Sequence, residues 1–224
     1  RTAFSGGWNS VKLYFMLGLP TETDEDVIGI AELAYKIIQE WKANAVNKKR
    51  GLSINLATAY FVPKPFTPFQ WEAQITPEEY LRRVHLLQEN IHSRSIDYRY
   101  HESNLSQLEA VLARGDRRLG PVLLAAQRLG CKLDGWDEYF RYDLWMQAFQ
   151  EAGVDPMFYT TRGFGKDELL PWQTIDVGVT TKYLLHEREK ALRSEATPDC
   201  RTHCNGCGAR MLSERRLCDE SPAV

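Results

Sequence analysis

Long apolar runs are missing from this chain. None reaches the roughly 18 residues that a membrane-spanning helix needs, so no membrane association is expected. An excess of either charge is also missing: 28 Lys and Arg face 30 Asp and Glu, for a net charge of −2. No global field therefore favours nucleic acid or an anionic surface, and such binding would need a local patch. Internal repeats and low-complexity segments are absent, and "RTAFSGGWNS" lacks the charged-then-apolar layout of a secretory leader. Cysteine is scarce. There are five, an odd number, and three of them crowd the tail. This pattern argues against a secreted disulfide framework and for a reducing, cytoplasmic setting with a metal site.

What is present is ordinary for a folded protein: 224 residues, 43% hydrophobic and 26% charged. That length predicts one large or two small domains. The pattern divides into an α/β part over 1–100, an α-helical part over 101–195 and a cysteine-rich tail over 196–224. "RTAFSGG" reads as the last turn of a helix closed by glycine, so a preceding segment of a longer chain is expected.

Val11, Leu13, Phe15 and Leu17 alternate with Lys12, Tyr14, Met16 and Gly18, which predicts a strand over 11–17. Gly18 and Pro20 then end it in a tight turn. Thr21 or Thr23 can cap the next helix, with Glu22, Asp24, Glu25 and Asp26 near its positive end. Val27, Ile30, Ala31, Ala34, Ile37, Ile38 and Trp41 carry that helix over about 24–41. A second strand over about 53–61 follows. Strand, helix, strand predicts a parallel sheet with "GLPTE" and "FVPKP" at the same end. Leu52, Ile54 and Leu56 suit a face packed on helices. Ser53, Asn55, Ala57 and Ala59 form the other face with Lys12, Tyr14 and Met16. That face is either a wall with room for a ligand or simply a wet surface.

"FVPKPFTPFQW" holds Pro63, Pro65 and Pro68, so it is a stiff extended loop. Its Phe61, Phe66, Phe69 and Trp71 either wall a pocket or cover the end of the sheet. "TPEEY" opens a helix with a capping box from Thr76 to Glu79 and Pro77 at its first position. His85 and His92 lie nearly on one face, a spacing more common for half-buried histidines than for ligands. A short strand is expected over 96–100.

The middle of the chain reads as four helices. Asn104 is expected to cap the first with Gln107, and Gly115 to stop it. Gly130 and Gly153 stop the second and third. Trp136, Tyr139, Phe140, Trp145 and Phe149 are the expected core. "LARGDRRLG" is a charged island. Arg114, Arg117 and Asp116, joined by Lys64, are candidates for a substrate or anion, since arginines grip phosphate or carboxylate bidentately. A helix corner in which Asp116 pairs with its neighbours fits equally well.

In "TPDCRTHCNGCGAR", Cys200, Cys204 and Cys207 stand in a C-x3-C-x2-C spacing. Thiolates bind Zn²⁺ or an iron–sulfur cluster through about four ligands, and Gly206 and Gly208 let the backbone wrap around an ion. Cys218 or Cys131 is the candidate fourth ligand, and His203 stands between two of the thiols. Arg201 and Arg210 would help hold deprotonated sulfur. Spacing does not choose between the two metals.

"VKLYFMLGLPTETDEDV" resembles the fifth strand and following turn of the radical S-adenosylmethionine superfamily. "FVPKPFTPFQW", "LEAVLARGDRRLG", "LPWQTIDVGV" and "TPDCR…CNGCG" extend the likeness to an uncharacterised subfamily. Its full-length members carry a cobalamin-binding-like domain ahead of the barrel. The likeness runs from Trp8 to Gly208. Phe66 departs from it, because histidine is expected there.

The resemblance implies the C-terminal half of a partial (β/α) barrel, then a helical domain and the tail. It implies S-adenosylmethionine and a [4Fe–4S] cluster as cofactors, for radical modification or methyl transfer on an unknown substrate, and leaves open whether cobalamin is used. Met16, Gly18, Glu22 and Asn55 would form part of the cofactor wall. A side chain at Gly18 is expected to block the cofactor and leave the fold largely intact. The superfamily's catalytic C-x3-C-x2-C follows its first strand, so the tail motif is expected to hold an auxiliary cluster or zinc instead. The catalytic motif would lie upstream, and the 224 residues alone would be inert. The rival expectation is a non-enzymatic, metal-stapled module that binds RNA or a protein.

Overall fold

The computed structural model of the chain describes residues 1–209. Cys218 and Arg210 lie outside them. Two compact units form among the described residues: residues 1–62 with 75–109, and residues 63–74 with 110–209.

The first unit runs α1 (Thr2–Ser5), β1 (Ser10–Leu17), α2 (Asp24–Asn44), β2 (Ser53–Tyr60), α3 (Pro77–Glu89) and β3 (Ile96–Tyr100). The strands form one parallel sheet in the order β1-β2-β3. This is the mixed α/β class with the expected strand–helix–strand order. α2 runs three residues past the expected Trp41, as far as Asn44.

Of the two candidate caps, Thr23 is the one used. Its hydroxyl accepts from the Asp26 N–H and the Asp26 carboxylate accepts from the Thr23 N–H, a closed capping box. Thr21 lies in the turn, with φ of 66°. At α3 only half of the expected box forms. Thr76 accepts from the Glu79 N–H, while the Glu79 carboxylate turns to Arg82 and Arg83.

The core sits on one face of the sheet. Leu17, Ile54 and Leu56 pack in one cluster with Val27, Ala31 and Ala34 of α2 and Tyr80, Val84 and Leu87 of α3. Each large side chain buried there stabilises the unit by about 2 kcal/mol. Tyr60 stacks on Tyr80 with ring centres 4.2 Å apart. The Tyr80 hydroxyl donates to the His101 carbonyl at 3.0 Å, so the polar tip of a buried ring is satisfied. On the opposite face, Lys12, Tyr14 and Met16 are exposed and Asn55, Ala57 and Ala59 are half-buried.

α4 (Ser103–Arg114) begins in the first unit and ends in the second. It starts one residue before Asn104, which is therefore inside the helix and not its cap. The second unit continues with α5 (Leu119–Leu129), α6 (Tyr142–Glu151), α7 (Met157–Thr160) and α8 (Thr181–Leu192). Gly130 ends α5 in the left-handed conformation that glycine adopts without strain. Trp145 and Phe149 are buried as expected. Trp136 and Tyr139 are 63% and 50% exposed. They lie in a turn-rich link between α5 and α6, so helical spacing does not direct them inward. Among the described residues, no helix is long and apolar enough to cross a membrane.

The proline-rich stretch 63–74 belongs with the second unit, for a physical reason. Arg114 is fully buried. Its guanidinium donates to the carbonyls of Tyr159 at 2.8 Å, Gln70 at 3.3 Å, Arg162 at 3.3 Å and Pro63 at 3.5 Å. It also lies 4.6 Å from the centre of the Phe164 ring.

Candidate functional site

The turn after β1 is built around one carboxylate. The Gly18 N–H donates to both oxygens of Glu22, at 3.0 and 3.1 Å, and the Leu19 N–H donates at 3.3 Å. Arg83, on α3, reaches the same carboxylate at 2.5 Å and binds Glu79 at 2.8 Å. Only 7% of the Glu22 side chain is exposed. The structure thus brings Gly18 and Glu22 together. Arg83 was not a sequence candidate, although its four-residue spacing from Glu79 on one helix face was a readable signal.

Gly18 has φ of +93°, and a Cβ there would stand 2.8 Å from Ile75 Cδ1. A side chain at Gly18 would therefore disturb the fold itself, contrary to the expectation of a fold left largely intact. Backbone conformation and the packing of Ile75 both demand glycine.

Met16 and Asn55 share the open face of the sheet. Asn55 stands in register with Lys12 and Asp97, and Met16 stands beside Ala59. A groove of about 410 Å³ runs beside β1 and α2, lined by Met16, Leu19, Pro20, Glu22 and Leu33 among others. Its Met16 and Glu22 are two of the four residues proposed for the cofactor wall.

Two of the four anion candidates, Arg114 and Asp116, are engaged within the protein. Arg114 spends its donors on backbone carbonyls, and burial together with the nearby Arg162 brings its pKa down to about 10. Asp116 pairs with Arg118 at 2.6 Å and accepts from the Tyr159 hydroxyl at 3.2 Å. These bonds hold its carboxyl down at about 2, the Arg118 hydrogen bond most of all. This is the helix-corner arrangement. Arg117 and Lys64 are exposed.

The tail thiols sit by the start of α8. Cys207's carbonyl accepts from the N–H of Thr180, the α8 cap, at 2.9 Å. Gly208 makes this approach possible, because a Cβ there would lie 2.6 Å from the Gly178 carbonyl oxygen. The Gly206 N–H donates to Cys204 Sγ at 3.5 Å. Tyr183 has its hydroxyl pKa raised by burial, then by Glu187, Cys207 and Cys200, so two of the thiols share its neighbourhood. Arg201 is bound to Asp199 and not to sulfur, although Cys200 contributes to its field. Cys131 is buried, and burial pushes its thiol pKa up. No disulfide joins Cys131, Cys200, Cys204 or Cys207. Among the described residues, no three His, Cys, Asp or Glu side chains are gathered around one point.

An uncharacterised protein of Methanocaldococcus jannaschii is similar to this chain, at 26% identity over 148 residues. The match covers 66% of the chain and 31% of that protein, so the chain spans about a third of its relative. No family profile matches the chain. No solved structure matches it.

Proposed function

We propose that this chain is part of a radical S-adenosylmethionine enzyme and supplies one wall of its cofactor site. The observation that carries this reading is the end of β1. There a strand in parallel pairing leads into a glycine turn of positive φ whose amides are tied to a buried glutamate. Ligands of parallel α/β folds sit at the C-terminal strand ends, and the chain matches only part of a longer relative.

The residues present suit this role. Gly18 lets the backbone turn closely, Glu22 fixes the turn, and the open face carries the apolar Met16 near the turn and the polar amide of Asn55 four register positions further back. When bound, the group would supply radical chemistry through reductive cleavage of S-adenosylmethionine at a [4Fe–4S] cluster. Residues of this chain would bind and orient it. Cys200, Cys204 and Cys207 would hold an auxiliary cluster or a zinc ion, a choice of soft donors that suits either. Cobalamin would be held outside the residues named here.

The test uses the whole gene product, reconstituted anaerobically with iron and sulfide and reduced in the presence of S-adenosylmethionine. Release of 5′-deoxyadenosine is expected, and Asn55→Leu should slow it. A reconstituted protein that binds iron yet releases none would reject the reading.

A further inference from the structure

The second unit contains a cavity of about 200 Å³ that the cofactor reading does not use. Phe66, Gln70, Trp71, Trp172, Asp176 and Leu184 are among its walls. Phe66, where the superfamily resemblance led one to expect histidine, has φ of 60°. Bulky L-residues avoid that conformation, and it persists only where surroundings impose it.

Gln70 imposes it. The Phe66 N–H donates to Gln70 Oε1 at 3.0 Å, and Trp172 Nε1 donates to the same oxygen at 2.7 Å. Two donors on one oxygen fix which way the carboxamide points. Gln70 is 3% exposed, yet its amino group finds no hydrogen-bond partner among the described residues. The group is not among the fully enclosed unsatisfied atoms, so it still reaches open space, where an acceptor from outside can meet it.

The rest of the lining narrows the chemistry. Phe66, Trp71 and Trp172 offer aromatic surface to a flat body. Asp176 gives one oxygen to the Gly178 N–H at 2.7 Å, which leaves its second oxygen as an acceptor. The other charged groups of the lining are paired: Lys166 with Glu189 at 3.1 Å and Glu168 with Arg162 at 2.8 Å. Two carboxylates against one ammonium do not favour an anion. A donor from Gln70 and an acceptor from Asp176 match the two ends of an amide.

We propose that this cavity binds a small, neutral aromatic or heteroaromatic amide. Its carbonyl accepts from the Gln70 amino group, its N–H donates to Asp176, and its ring lies against Phe66, Trp71 and Trp172.

Benzamide tests this on the 224-residue chain, with toluene and benzoate as comparators. Binding is followed by saturation-transfer NMR and by tryptophan fluorescence. Benzamide should bind saturably in the millimolar range and more tightly than either comparator. Gln70→Glu keeps an oxygen for both N–H groups but removes the amino donor, so it should weaken benzamide about tenfold while sparing toluene. Leu184→Trp should fill the cavity and abolish binding of both. Circular dichroism reports whether each variant is folded. If Gln70→Glu does not fold, the benzamide-to-toluene ratio and Leu184→Trp decide. No saturable benzamide binding, as in a cavity that holds water only, would overturn the proposal. So would equal affinity for benzamide and toluene, or binding that Leu184→Trp leaves intact.

Discussion

Arg83 and Glu22 meet at 2.5 Å across 61 residues of sequence, with only 12% and 7% of their side chains exposed. Glu22 in turn holds the amides of Gly18 and Leu19. One ion pair thus joins α3 to the end of β1. Arg83→Met leaves that carboxylate buried without its cation, which should destabilise the first unit by about 3 kcal/mol. Arg82, one residue earlier, pairs with Asp24 in the open, at about half exposure. Arg82→Met should move the urea midpoint clearly less than Arg83→Met does. Equal shifts for the two variants would show that the buried pair is not special.

Gly18 is set by the same turn. Gly18→Ala should cost about 2 kcal/mol, from the positive φ and from the 2.8 Å contact with Ile75. Adding Ile75→Val should not restore wild-type stability, because the backbone term persists. Thermal melting of the single and double variants separates the two contributions. A single variant as stable as wild type would refute both.

Much of the first unit was legible because period-2 and period-3.6 patterns coincide there with cap and turn residues. Ile54 and Leu56 face the core and Asn55 does not, as alternation requires. The second unit was less legible for a physical reason. Its stretch 63–74 is held by bonds to residues distant in sequence: Gln70 to Trp172 and Gln74 to the Thr160 carbonyl. Arg114 looked like an anion ligand because a buried guanidinium and an exposed one are spelled alike. Trp136 and Tyr139 looked like core because the pattern does not show that the chain turns before α6. The spacing of Arg83 from Glu79 hints at an ion pair on α3, but no local pattern joins Arg83 to Glu22, 61 residues away.

Arg114 makes a separate prediction. Four carbonyls from two stretches, 63–70 and 159–162, converge on its guanidinium. Arg114→Met should cost at least about 3 kcal/mol, since those acceptors lose a charged donor in a closed site. Arg114→Lys should rescue little, because one ammonium cannot span the fork. Hydrogen exchange at the Phe66 and Gln74 amides should accelerate in both. Protection unchanged in Arg114→Lys would show that charge alone suffices.

Acid should loosen both units. The hydrogen bonds of Arg82 and then Arg83 hold Glu79 at about 2, below its usual 4.5. Arg118 holds Asp116 at about 2, below 3.8. A carboxylate with a depressed folded pKa favours the fold fully above its unfolded value, and that contribution is lost as pH falls toward the folded one. Stability should therefore decline from about pH 4.5 down to about pH 2. Glu79→Gln should flatten this decline in the first unit and Asp116→Asn in the second. An unchanged acid limb in both variants would place its origin elsewhere.

The tail thiols carry the last prediction. Cys207 is anchored through its carbonyl to Thr180, Gly208 permits the approach, and Gly206 donates its N–H toward Cys204 sulfur. Thiolate is the form of cysteine that binds metal. Chain purified without oxygen should carry one centre. A brown solution with visible absorption indicates iron–sulfur, and a colourless one with one zinc per chain indicates a structural ion. Cys200→Ala should release the centre while the urea transition of the first unit stays in place, because that unit has its own core. Cys131→Ala should keep the centre if Cys218 completes the ligand set, and Cys218→Ala should keep it if Cys131 does. Anaerobic protein that holds neither metal, with both iron and zinc supplied, would end the assignment.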